Sequence, residues 1–501
     1  MRFSVLASEL DAVFEARMGE AEVGTLTADS RHAKADALFV CVSGMTVDGH
    51  DYAPEAYRRG CRLFVVERTL DLPDDAMLCT VKNSREALAS LARAFYGHPD
   101  RALLLIGVTG TKGKTTVSSM AAQLLCALGV KTGYIGSNGV IYGEHREETV
   151  NTTPESIELY RHFRHMADAG VRAVVMEVSS QALYLGRVCG MTFPITLFTN
   201  LALDHIGGNE HPTFEHYRQC KASLFSEYGT ECMICNLDDE AAALMRENTC
   251  ASRVLTYSIA DDRADLYAAD ITSGASVSSM GSRFSLIYEG ERREDCILSI
   301  PGDFNVSNAL GAMAIAAEAL VRLSCDRTIE QLIAHLPSLC VSGRFETVPL
   351  FPDRAFVIDY AHNGYSLEAL LTTLRTYCPQ RLICLVGSVG GRTYGRRREI
   401  GHALRLCDYA IITSDNPDSE DPMQIIRDIA AACDCPYTMI ADREEAVDYA
   451  VTHSRAGDIV LLAGKGHERY QLVRGEKLPF CERELLFTAR KRMQTALKAQ
   501  P

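Results

Sequence analysis

The sequence predicts an α/β protein of three domains, and three observations support this prediction. Apolar runs of strand length alternate with helical patterns along most of the chain. One strand enters a Gly/Thr-rich turn, residues 109–116, and a helical pattern leaves it, which is the context of a phosphate-binding loop. The chain has 501 residues, more than one hydrophobic core usually supports. We expect a central domain with the parallel sheet of a P-loop ATPase and a C-terminal doubly wound, Rossmann-like domain.

The composition narrows the class of protein. Hydrophobic residues make up 47% and charged residues 23% of the chain, as in an ordinary soluble enzyme. The net charge of −14 leaves no excess of Lys and Arg to neutralise a nucleic-acid backbone. No apolar run approaches the roughly 20 residues of a membrane span, and Glu9 and Asp11 interrupt the N-terminus too early for a secretory signal. We expect a cytoplasmic protein without nucleic-acid or membrane partners.

Eighteen cysteines are scattered through a chain without a signal sequence, which indicates reduced thiols. The close pairs are Cys232 with Cys235 and Cys433 with Cys435, and together they lack the spacing of a metal site. We interpret them as small buried side chains. Metal binding or redox chemistry is the alternative.

Residues 1–100 are the first predicted domain, a small α/β unit. Residues 38–40 and 63–66 have the pattern of strands, and residues 53–59 that of a helix that Gly60 ends. A polar turn at residues 29–31 precedes them. These residues alone form no catalytic constellation.

The second predicted domain, residues 101–337, begins with the strand before the phosphate loop. Residues 103–108 are the apolar run, and apolar positions recur at helical spacing over residues 117–128 until Gly129. This strand, glycine turn and helix are the arrangement that a phosphate loop needs.

The loop itself reads Gly110-x-x-Gly113-Lys114-Thr115, a shorter form of the usual signature, whose first glycine position holds Val108. Glycines let backbone N–H groups close around phosphate oxygens, and the helix N-terminus adds partial positive charge. Lys114 is expected to reach the terminal phosphates of ATP, and the Thr115 hydroxyl to meet Mg²⁺. The expected ATP-binding residues of the loop are Gly110, Thr111, Lys112, Gly113, Lys114, Thr115 and Thr116.

A carboxylate downstream of the loop is a candidate magnesium ligand. Residues 171–178 are a buried-strand run, and Glu177 lies at the C-terminal end, where α/β nucleotide enzymes place a Mg²⁺ ligand. From its position alone, Glu177 could equally cap the next helix. Residues 195–200 give a further strand, residues 251–300 an antiparallel edge, and an Ala-rich helix then runs to Leu320.

The third predicted domain, residues 338–501, follows a break in the pattern at residues 337–343. Strand-like runs at residues 356–359, 382–386, 409–413 and 459–463 alternate with helical stretches. This alternation is typical of a doubly wound sheet.

Short motifs occur in a fixed order along these regions. They are Asp29-Ser30-Arg31, Asp48-Gly49-His50-Asp51, the loop 109–116, Asn151-Thr152-Thr153-Pro154, Glu177-Val178-Ser179-Ser180, Gly186-Arg187-Val188, Asp204-His205, Phe214-Glu215-x-Tyr217-x-x-x-Lys221, Gly302-x-Phe304-Asn305-x-x-Asn308, Gly343-Arg344-Phe345-Glu346, Asp359-Tyr360-Ala361-His362 and Gly464-Lys465-Gly466-His467-Glu468. In this order they resemble the Mur ligase family along nearly the whole chain, and its MurE type most.

The resemblance implies ATP-driven amide synthesis in cytoplasmic peptidoglycan precursor synthesis, and hence a part in cell-wall biogenesis, cell shape and cell division. The D-glutamate carboxylate of UDP-MurNAc-L-Ala-D-Glu attacks the γ-phosphate and becomes an acyl phosphate. The amine of an amino acid then attacks the carbonyl carbon, and phosphate leaves. Two anions meet in the first step, so Lys114 and two Mg²⁺ ions are expected to reduce their repulsion. Substrates held on three domains imply closure before chemistry. The expected partners are these small molecules, and the expected state is a monomer.

The resemblance also implies roles for individual residues. The catalytic residues would be Lys114, His205 and Lys221. ATP would further contact Asn305, Asn308, Arg344, Asp359 and His362. The UDP-linked dipeptide would contact Ser30, Asn151, Thr152, Thr153, Ser179 and Arg187. The amino acid would contact Asp415, Asn416, Asp418, Glu420, Gly464 and Glu468. Metal would be held by Thr115, Glu177, His205 and a carbamylated Lys221.

Lys221 and His362 also have alternative interpretations. Lys221 as an ammonium group cannot ligate Mg²⁺, whereas its carbamate can; the alternative is an ordinary lysine that faces solvent. His362 follows a strand and is a candidate phosphate contact; the alternative is a histidine at a helix start, bonded to backbone. His205 is expected at the second metal ion or the acyl phosphate.

The identity of the added amino acid is expected to depend on residues 414–422. Family members that add meso-diaminopimelate carry Asp-Asn-Pro-Arg there, and the Arg grips the distal carboxylate. Asp418 takes the place of that Arg, so it would repel a distal carboxylate and attract a distal ammonium. L-Lysine is the predicted substrate, and L-ornithine and diaminopimelate are the alternative substrates. The alternative for Asp418 is that it points to solvent and that selectivity is determined elsewhere, for instance at Arg392.

The chain departs from the family pattern at three places. Lys112 stands where Asn is usual, Gln181 where His often follows the double Ser, and residues 390–394 where the family has a Gly-Gly-Asp-Arg-like stretch. The roles of the last two are therefore not transferred. A folylpolyglutamate synthetase-like ligase is the second candidate in this fold, and a non-catalytic nucleotide-binding relative is the third.

Overall fold

The computed structural model describes residues 1–44, 47–204, 206–207, 210–274, 277, 280–391 and 394–498. The strands are β1 Ala12–Phe14, β2 Thr25–Thr27, β3 Ala37–Val40, β4 Leu63–Val66, β5 Met77–Val81, β6 Leu104–Thr109, β7 Thr132–Gly136, β8 Gly139–Tyr142, β9 His145–Glu147, β10 Ala173–Glu177, β11 Ile195–Phe198, β12 Cys232–Asn236, β13 Arg253–Ser258, β14 Leu266–Ser273, β15 Ser282–Tyr288, β16 Glu291–Leu298, β17 Glu346–Val348, β18 Ala355–Asp359, β19 Leu382–Val386, β20 Tyr409–Ile412, β21 Tyr437–Met439, β22 Ile459–Ala463, β23 Tyr470–Val473 and β24 Glu476–Pro479.

The α-helices are α1 Phe3–Ala7, α2 Ala16–Gly19, α3 Ala53–Arg58, α4 Ser84–Phe95, α5 Lys114–Ala127, α6 Ser156–Asp168, α7 Ser180–Tyr184, α8 Phe214–Glu227, α9 Ala242–Glu247, α10 Asp303–Arg322, α11 Ile329–His335, α12 Gly364–Arg375, α13 Tyr394–Ala403, α14 Pro422–Ala430, α15 Arg443–His453 and α16 Glu482–Lys498. Short 3₁₀ helices lie at Ser30–His32, Gly49–Tyr52, Pro99–Ala102, Leu336–Ser338 and Leu404–Leu406. The chain divides into two compact units. The first comprises Met1–Tyr267 and Ser307–Leu332, the second Ala268–Val306 and Ile333–Pro501.

The first unit contains two sheets. The N-terminal sheet has the strand order β1-β5-β4-β3-β2, and only the β1–β5 pair is antiparallel. In the larger sheet, β13-β12-β11-β6-β10-β7 are parallel neighbours, and β8 and β9 extend the β7 side antiparallel. The strands β6, β10 and β11 are almost wholly buried, as expected where helices cover both faces of a parallel sheet. Because β6 and β10 are parallel neighbours, the phosphate loop and Glu177 lie at the same edge.

The second unit contains a sheet of order β17-β18-β22-β19-β20-β21, in which only β17 is antiparallel. Helices connect its parallel strands, which makes it doubly wound. The antiparallel pair β15–β16 also belongs to this unit and confirms the antiparallel segment expected within residues 251–300. The predicted α/β fold class is thus confirmed, whereas the domain boundaries at residues 100 and 337 stay a prediction.

One helix bears on the expectation that no apolar run approaches the length of a membrane span. Within the described residues, Asp303–Arg322 is long and apolar enough to cross a membrane by length and composition. Most of its apolar window is nevertheless buried inside the protein, as in the core helix of a globular domain. Its alanines and glycine let it pack closely; a Cβ on Gly311 would lie 3.1 Å from Leu197 and 3.2 Å from the ring of Tyr257.

Candidate functional site

The two loop glycines are required by close packing. Gly110 has φ +148° and Gly113 has φ +84°, which are backbone conformations that favour glycine. A Cβ on Gly110 would lie 1.8 Å from the Thr199 hydroxyl, and one on Gly113 would lie 2.6 Å from Oδ1 of Asn308. The loop therefore folds as the sequence predicts, and Asn308 lies against it. Val108, at the position of the missing first glycine, is a buried residue of β6.

Two lysines meet at the loop. The Lys114 Nζ donates to the carbonyl oxygens of Gly110 at 2.8 Å and Thr111 at 3.1 Å. The Lys221 Nζ donates to the same Gly110 carbonyl at 2.8 Å. The charge of Lys114 attracts anions, and the N-terminus of α5 adds to that attraction.

Lys221 is almost fully buried, so the alternative of a solvent-facing lysine is wrong. It lies one helical turn after Tyr217 on α8, and its Nζ lies 4.5 Å from the centre of the Tyr217 ring. Burial and the charge of Lys114 lower the pKa of Lys221 well below its ordinary value. An uncharged amine is the form that adds to CO₂, so this environment suits carbamylation.

Glu177 is a buried carboxylate at the end of β10, only 1% exposed. It accepts hydrogen bonds from the hydroxyls of Thr115 at 3.1 Å and Tyr134 at 2.7 Å, and from the backbone N–H of Ser137 at 2.8 Å. The alternative that it caps a helix is not realised, because Ser179 caps α7 by accepting from the N–H of Ala182. Thr115 and Glu177 thus bring together oxygen ligands of the kind that Mg²⁺ prefers.

The rest of the loop is fixed by neighbouring side chains. Thr111 is buried, and its hydroxyl lies 3.0 Å from that of Tyr217. Lys112 is exposed; its N–H donates to Asn200 Oδ1 at 2.9 Å, and its Nζ lies 3.0 Å from Asp204. The unusual residue at position 112 therefore leaves the backbone contact in place. Thr116 is buried in the first turn of α5.

The expected dipeptide-binding residues have partners within the first unit. The Thr153 hydroxyl donates to the backbone oxygen of Glu177 at 2.9 Å and accepts from the N–H of Ser179. Arg187 donates to the backbone oxygen of Thr153 at 3.2 Å and pairs with Glu155 at 2.7 Å. Thr153 and Arg187 thus support the backbone beside Glu177.

The remaining members of this set lie nearby in the chain or in the N-terminal sheet. Thr152 and Ser137 share a hydroxyl contact of 3.1 Å, and Asn151 is half-buried. Ser30 is buried, and its hydroxyl lies 3.3 Å from Glu55. Contact of any of them with a UDP-linked substrate stays a prediction.

Four of the residues expected near ATP belong to the second unit. Asp359 accepts from the N–H groups of Phe345 at 2.7 Å and Ala361 at 2.8 Å. Burial raises the pKa of Asp359, although the nearby Arg344 and these two N–H groups oppose the rise. The Arg344 guanidinium lies over the Tyr360 ring at 4.8 Å. 

His362 Nδ1 lies 2.8 Å from the backbone oxygen of Tyr360, as in the backbone-bonded alternative. Asn305 is buried and donates to the backbone oxygen of Pro301 at 2.7 Å. Phosphate contact by His362 and adenine contact by Asn305 both stay predictions.

A buried lysine connects the residues expected to hold the amino acid. Lys465 donates to Asn416 Oδ1 at 2.8 Å and to Glu468 at 2.6 Å, and it lies 3.6 Å from Asp415. Asn416 also donates to Glu468 at 3.0 Å. Burial alone would raise the pKa of Glu468, but the charge of Lys465 and the hydrogen bonds from Lys465 and Asn416 lower it overall. Gly464, with φ +107°, leaves room for Asp415, whose Oδ2 would lie 3.0 Å from an added Cβ.

Asp418 and Glu420 differ in their partners. Both carboxylate oxygens of Glu420 accept from Arg397 at 2.7 Å, which lowers the Glu420 pKa. Asp418 has φ +51°, and its Oδ1 accepts from the N–H of Gly475 in the turn between β23 and β24 at 2.8 Å. In the part of the chain that the structure describes, no cationic side chain pairs with Asp418.

Sequence reasoning missed the supporting residues. Tyr217 and Lys465 stand inside motifs that the sequence singles out, and the i, i+4 spacing of Tyr217 and Lys221 already places both on one helix face. No motif or spacing in the sequence points to Tyr134 or Arg443. Arg443 is buried, pairs with Glu482 and donates to two backbone oxygens at the ends of β20 and β22. The predicted His205 and Arg392 lie outside the described residues.

The chain matches three family models. They are the Mur ligase family catalytic domain over residues 22–96, the Mur ligase middle domain over residues 108–316 and the Mur ligase glutamate ligase domain over residues 343–466. One relative, from Geobacillus thermodenitrificans strain NG80-2, is 39% identical over 96% of this chain and 98% of its own length. Another, from Clostridium perfringens strain 13, is 36% identical over 93% of this chain and 95% of its own. Both are named UDP-N-acetylmuramoyl-L-alanyl-D-glutamate--2,6-diaminopimelate ligase.

Solved structures of related ligases also superpose on this chain. A structure of a ligase of that name superposes with a TM-score of 0.70 and 28% identity, and the match covers 99% of this chain and all of the other. A folylpolyglutamate synthase of Mycobacterium tuberculosis superposes with a TM-score of 0.58 at 16% identity over 82% of this chain and 95% of its own, a likeness of fold alone. The chain therefore belongs to the Mur ligase family and is an ATP-dependent acid–amino-acid ligase.

Proposed function

We propose that this ligase is of the MurE reaction type and adds an amino acid, L-lysine, to the D-glutamate of UDP-MurNAc-L-Ala-D-Glu in cytoplasmic peptidoglycan synthesis. The names of the relatives support the reaction type. The observation on which the proposal depends is the arrangement of the half-buried Lys114 and the buried Lys221, Thr115 and Glu177 around the glycine loop. It offers a cation at Lys114, oxygen ligands at Thr115 and Glu177, and an amine at Lys221 that becomes a further oxygen ligand once carbamylated, where a carboxylate and a triphosphate must meet.

The loop residues account for the first chemical step. Backbone N–H groups at Gly110 and Gly113 and the N-terminus of α5 hold the phosphates. Lys114 turns from the Gly110 carbonyl to the γ-phosphate, where its charge offsets the repulsion between the attacking carboxylate and ATP. A carboxylate oxygen bonds to the γ-phosphorus while the bond from that phosphorus to the ADP oxygen breaks.

Thr115 and Glu177 fit Mg²⁺ because both offer oxygen ligands at the end of β10 and the start of α5. Tyr134 and Ser137 hold Glu177 from the other side and so fix where its oxygens point. When bound, the ions would supply positive charge to the phosphate oxygens. Lys221 joins this set as a carbamate, and His205 is proposed at the second ion by family resemblance alone.

The second step needs the amino acid with its α-amine directed to the acyl phosphate. Glu468 is held as a carboxylate by Lys465 and Asn416, so it suits the α-ammonium group. Once this amine has lost a proton, it attacks the carbonyl carbon, and the carbon–oxygen bond to phosphate breaks. Amide and inorganic phosphate are the products.

The choice of L-lysine as the added amino acid rests on Asp418. It is the acidic residue of loop 414–420 with a carboxylate that no described cation neutralises, whereas Glu420 is paired with Arg397 and Asp415 lies beside Lys465. A distal carboxylate, as in diaminopimelate, would be repelled here, and a distal ammonium attracted. The names of the relatives favour diaminopimelate instead, and it is the second candidate.

One competition experiment tests the proposal. The enzyme receives ATP, Mg²⁺, UDP-MurNAc-L-Ala-D-Glu and equal amounts of L-lysine, L-ornithine and meso-diaminopimelate, and the UDP-linked products are weighed by mass spectrometry. The lysine adduct is expected to dominate. A dominant diaminopimelate adduct would overturn the choice of lysine. If no UDP-linked adduct formed at all, while the enzyme released phosphate from ATP with a different acceptor, the reaction itself would be overturned.

A further inference from the structure

A second group of ligating side chains lies beside the phosphate loop, in the first unit. Ligand atoms of His211, His216 and Cys220 lie within 4.8 Å of one another. His216 and Cys220 are one turn apart on α8 and share a face of it. Thr213 fixes that register, because its side chain accepts from the backbone N–H of His216 at the start of the helix. His211 reaches the same point from the segment before the helix.

The ligand atoms of the cluster are in direct contact, and the Cys220 sulfur lies almost equally far from both nitrogens of His216. Their Nδ1 atoms lie 2.9 Å apart, and the Cys220 sulfur lies 3.8 Å from Nδ1 of His216. The other nitrogen of His211, Nε2, lies 2.9 Å from the Ser180 hydroxyl. When Nε2–H donates to Ser180, Nδ1 presents its lone pair to the cluster, which is the usual outer contact of a metal-bound histidine.

The donor set selects a class of ion. Two imidazoles and one thiolate suit Zn²⁺ and similar borderline-soft ions, whereas Mg²⁺ prefers oxygen ligands such as Thr115 and Glu177. Three protein ligands leave a fourth position for water. His211 is buried and the other two are half-buried, so the cluster is partly shielded from solvent.

We propose that His211, His216 and Cys220 form a binding site for a Zn²⁺-class ion, separate from the Mg²⁺ site of the ligase reaction. The proposal does not depend on the amino-acid substrate. The site adjoins the loop: the His211 ring packs at 5.2 Å against that of Tyr217, whose hydroxyl contacts Thr111. An ion there would hold His211 in place against a residue that supports the loop.

Two other clusters are weaker candidates and serve as comparisons. In the group His145, Glu147 and His162, the carboxylate of Glu147 already pairs with Arg161 at 2.5 Å. In the second unit, the sulfur of Cys435 lies 3.8 Å from that of Cys407 and 3.6 Å from that of Cys433. A soft ion could bind these thiols, so the experiment must separate them from the proposed site.

The test uses Co²⁺ as a spectroscopic probe of the full-length protein in excess Mg²⁺, which occupies oxygen sites. Wild type is expected to take up about one Co²⁺ with the visible bands of a four-coordinate ion and a near-ultraviolet thiolate band. His216→Ala and Cys220→Ser are each expected to weaken binding at least about tenfold. Zn²⁺ should displace Co²⁺ and raise the Tm of wild type but not of these variants.

The controls are Cys250→Ser at an exposed thiol, His145→Ala and Cys435→Ser, all expected to bind like wild type. Circular dichroism checks that each variant is folded. If Cys220→Ser does not fold, His216→Ala, at a half-buried position, still tests the site. Unchanged binding in both site variants overturns the proposal, as does loss of the thiolate band in Cys435→Ser. Binding without a thiolate band overturns it as well, because the ion then sits on oxygen or nitrogen ligands alone.

Discussion

Lys114 and Lys221 donate to one and the same acceptor, the backbone carbonyl oxygen of Gly110, each at 2.8 Å. Two ammonium groups so close repel each other, and the charge of Lys114 contributes to the lowered pKa of Lys221. An arriving triphosphate relieves the repulsion on one side, and a carbamate on Lys221 relieves it on the other. The two lysines therefore have different predicted roles, which substitution can separate.

Replacement of Lys114 is expected to remove a phosphate contact and leave the fold intact. In Lys114→Ala, kcat should fall by about 10²–10³-fold or more, the scale of losing one donor to a transition-state oxyanion. Phosphate release with the dipeptide substrate measures it. Lys131→Ala, at an exposed lysine of the same unit, is the control and should keep normal turnover. Wild-type turnover in Lys114→Ala would refute the role.

Lys221→Ala should be nearly inactive because the carbamate oxygens are lost from the metal site. Short carboxylic acids such as acetate or formate are expected to restore part of the activity by placing an oxygen anion in the gap. Neither acid should rescue Lys114→Ala, which makes that variant the matched control. An active Lys221→Ala, or the absence of a carbamate carbon signal in the NMR spectrum of wild type supplied with ¹³C-bicarbonate, would contradict carbamylation.

Tyr134 is predicted to position Glu177 without touching substrate. Tyr134→Phe removes the 2.7 Å hydrogen bond to the Glu177 carboxylate but keeps the ring. The Mg²⁺ concentration for half-maximal activity should rise roughly tenfold, the usual effect of losing an outer contact to a ligand, while kcat at saturating Mg²⁺ changes little. Tyr142→Phe, on the neighbouring strand β8, should leave the Mg²⁺ requirement unchanged. An equal loss at every Mg²⁺ concentration would argue for a different role.

The charge of Asp418 is predicted to govern the choice of amino acid. Asp418→Asn keeps a side-chain oxygen for the N–H of Gly475 and tolerates φ +51°, so it removes the charge alone. The ratio of kcat/KM for lysine over diaminopimelate should fall about tenfold, or about 1.4 kcal/mol. Asp418→Arg should lower it further, at the cost of backbone strain. An unchanged ratio in Asp418→Asn would place selectivity elsewhere.

Cys435 is predicted to be the most reactive thiol. The neighbouring thiols of Cys407 and Cys433 donate to its sulfur and hold the pKa of Cys435 at about 7, whereas burial raises that of Cys433 to about 11. The thiolate is the nucleophile, so alkylation of Cys435 should be fast at about pH 8 and slow as the pH falls through about 7. Peptide mass spectrometry after brief iodoacetamide treatment measures it. Faster labelling of exposed Cys250 would contradict this order.

The glycine loop and Glu177 could be predicted because each depends on a local pattern. Gly110 and Gly113 follow from strand, turn and helix, and Glu177 from its place at the end of a strand. The supports of these residues could not be predicted. Tyr134 reaches Glu177, and Lys465 reaches Asn416, across 43 and 49 positions of chain. Such contacts depend on strand order and register, and neither can be predicted from a single sequence.

The site of His211, His216 and Cys220 shows a different difficulty. Its residues are near in sequence, but the spacing matches no familiar metal motif, and only the start of α8 brings them to one point. Likewise, the sequence identifies an acidic loop at 414–420 but not that Glu420 is neutralised by Arg397. The distinction between Asp418 and Glu420 comes from the structure alone.

The contact between residues 390–391 and the loop 414–420 bears on how specificity could be engineered. Gly390 donates its N–H to the backbone oxygen of Asn416, and a Cβ on it would lie 2.0 Å from the backbone oxygen of Pro417. Gly391 donates to Glu420 at 2.8 Å. The two stretches are interlocked, so a graft of residues 414–420 from a relative into this chain would meet a mismatched partner. Transfer of residues 390–420 as one continuous cassette, which keeps both stretches and the segment between them together, is therefore the smaller perturbation.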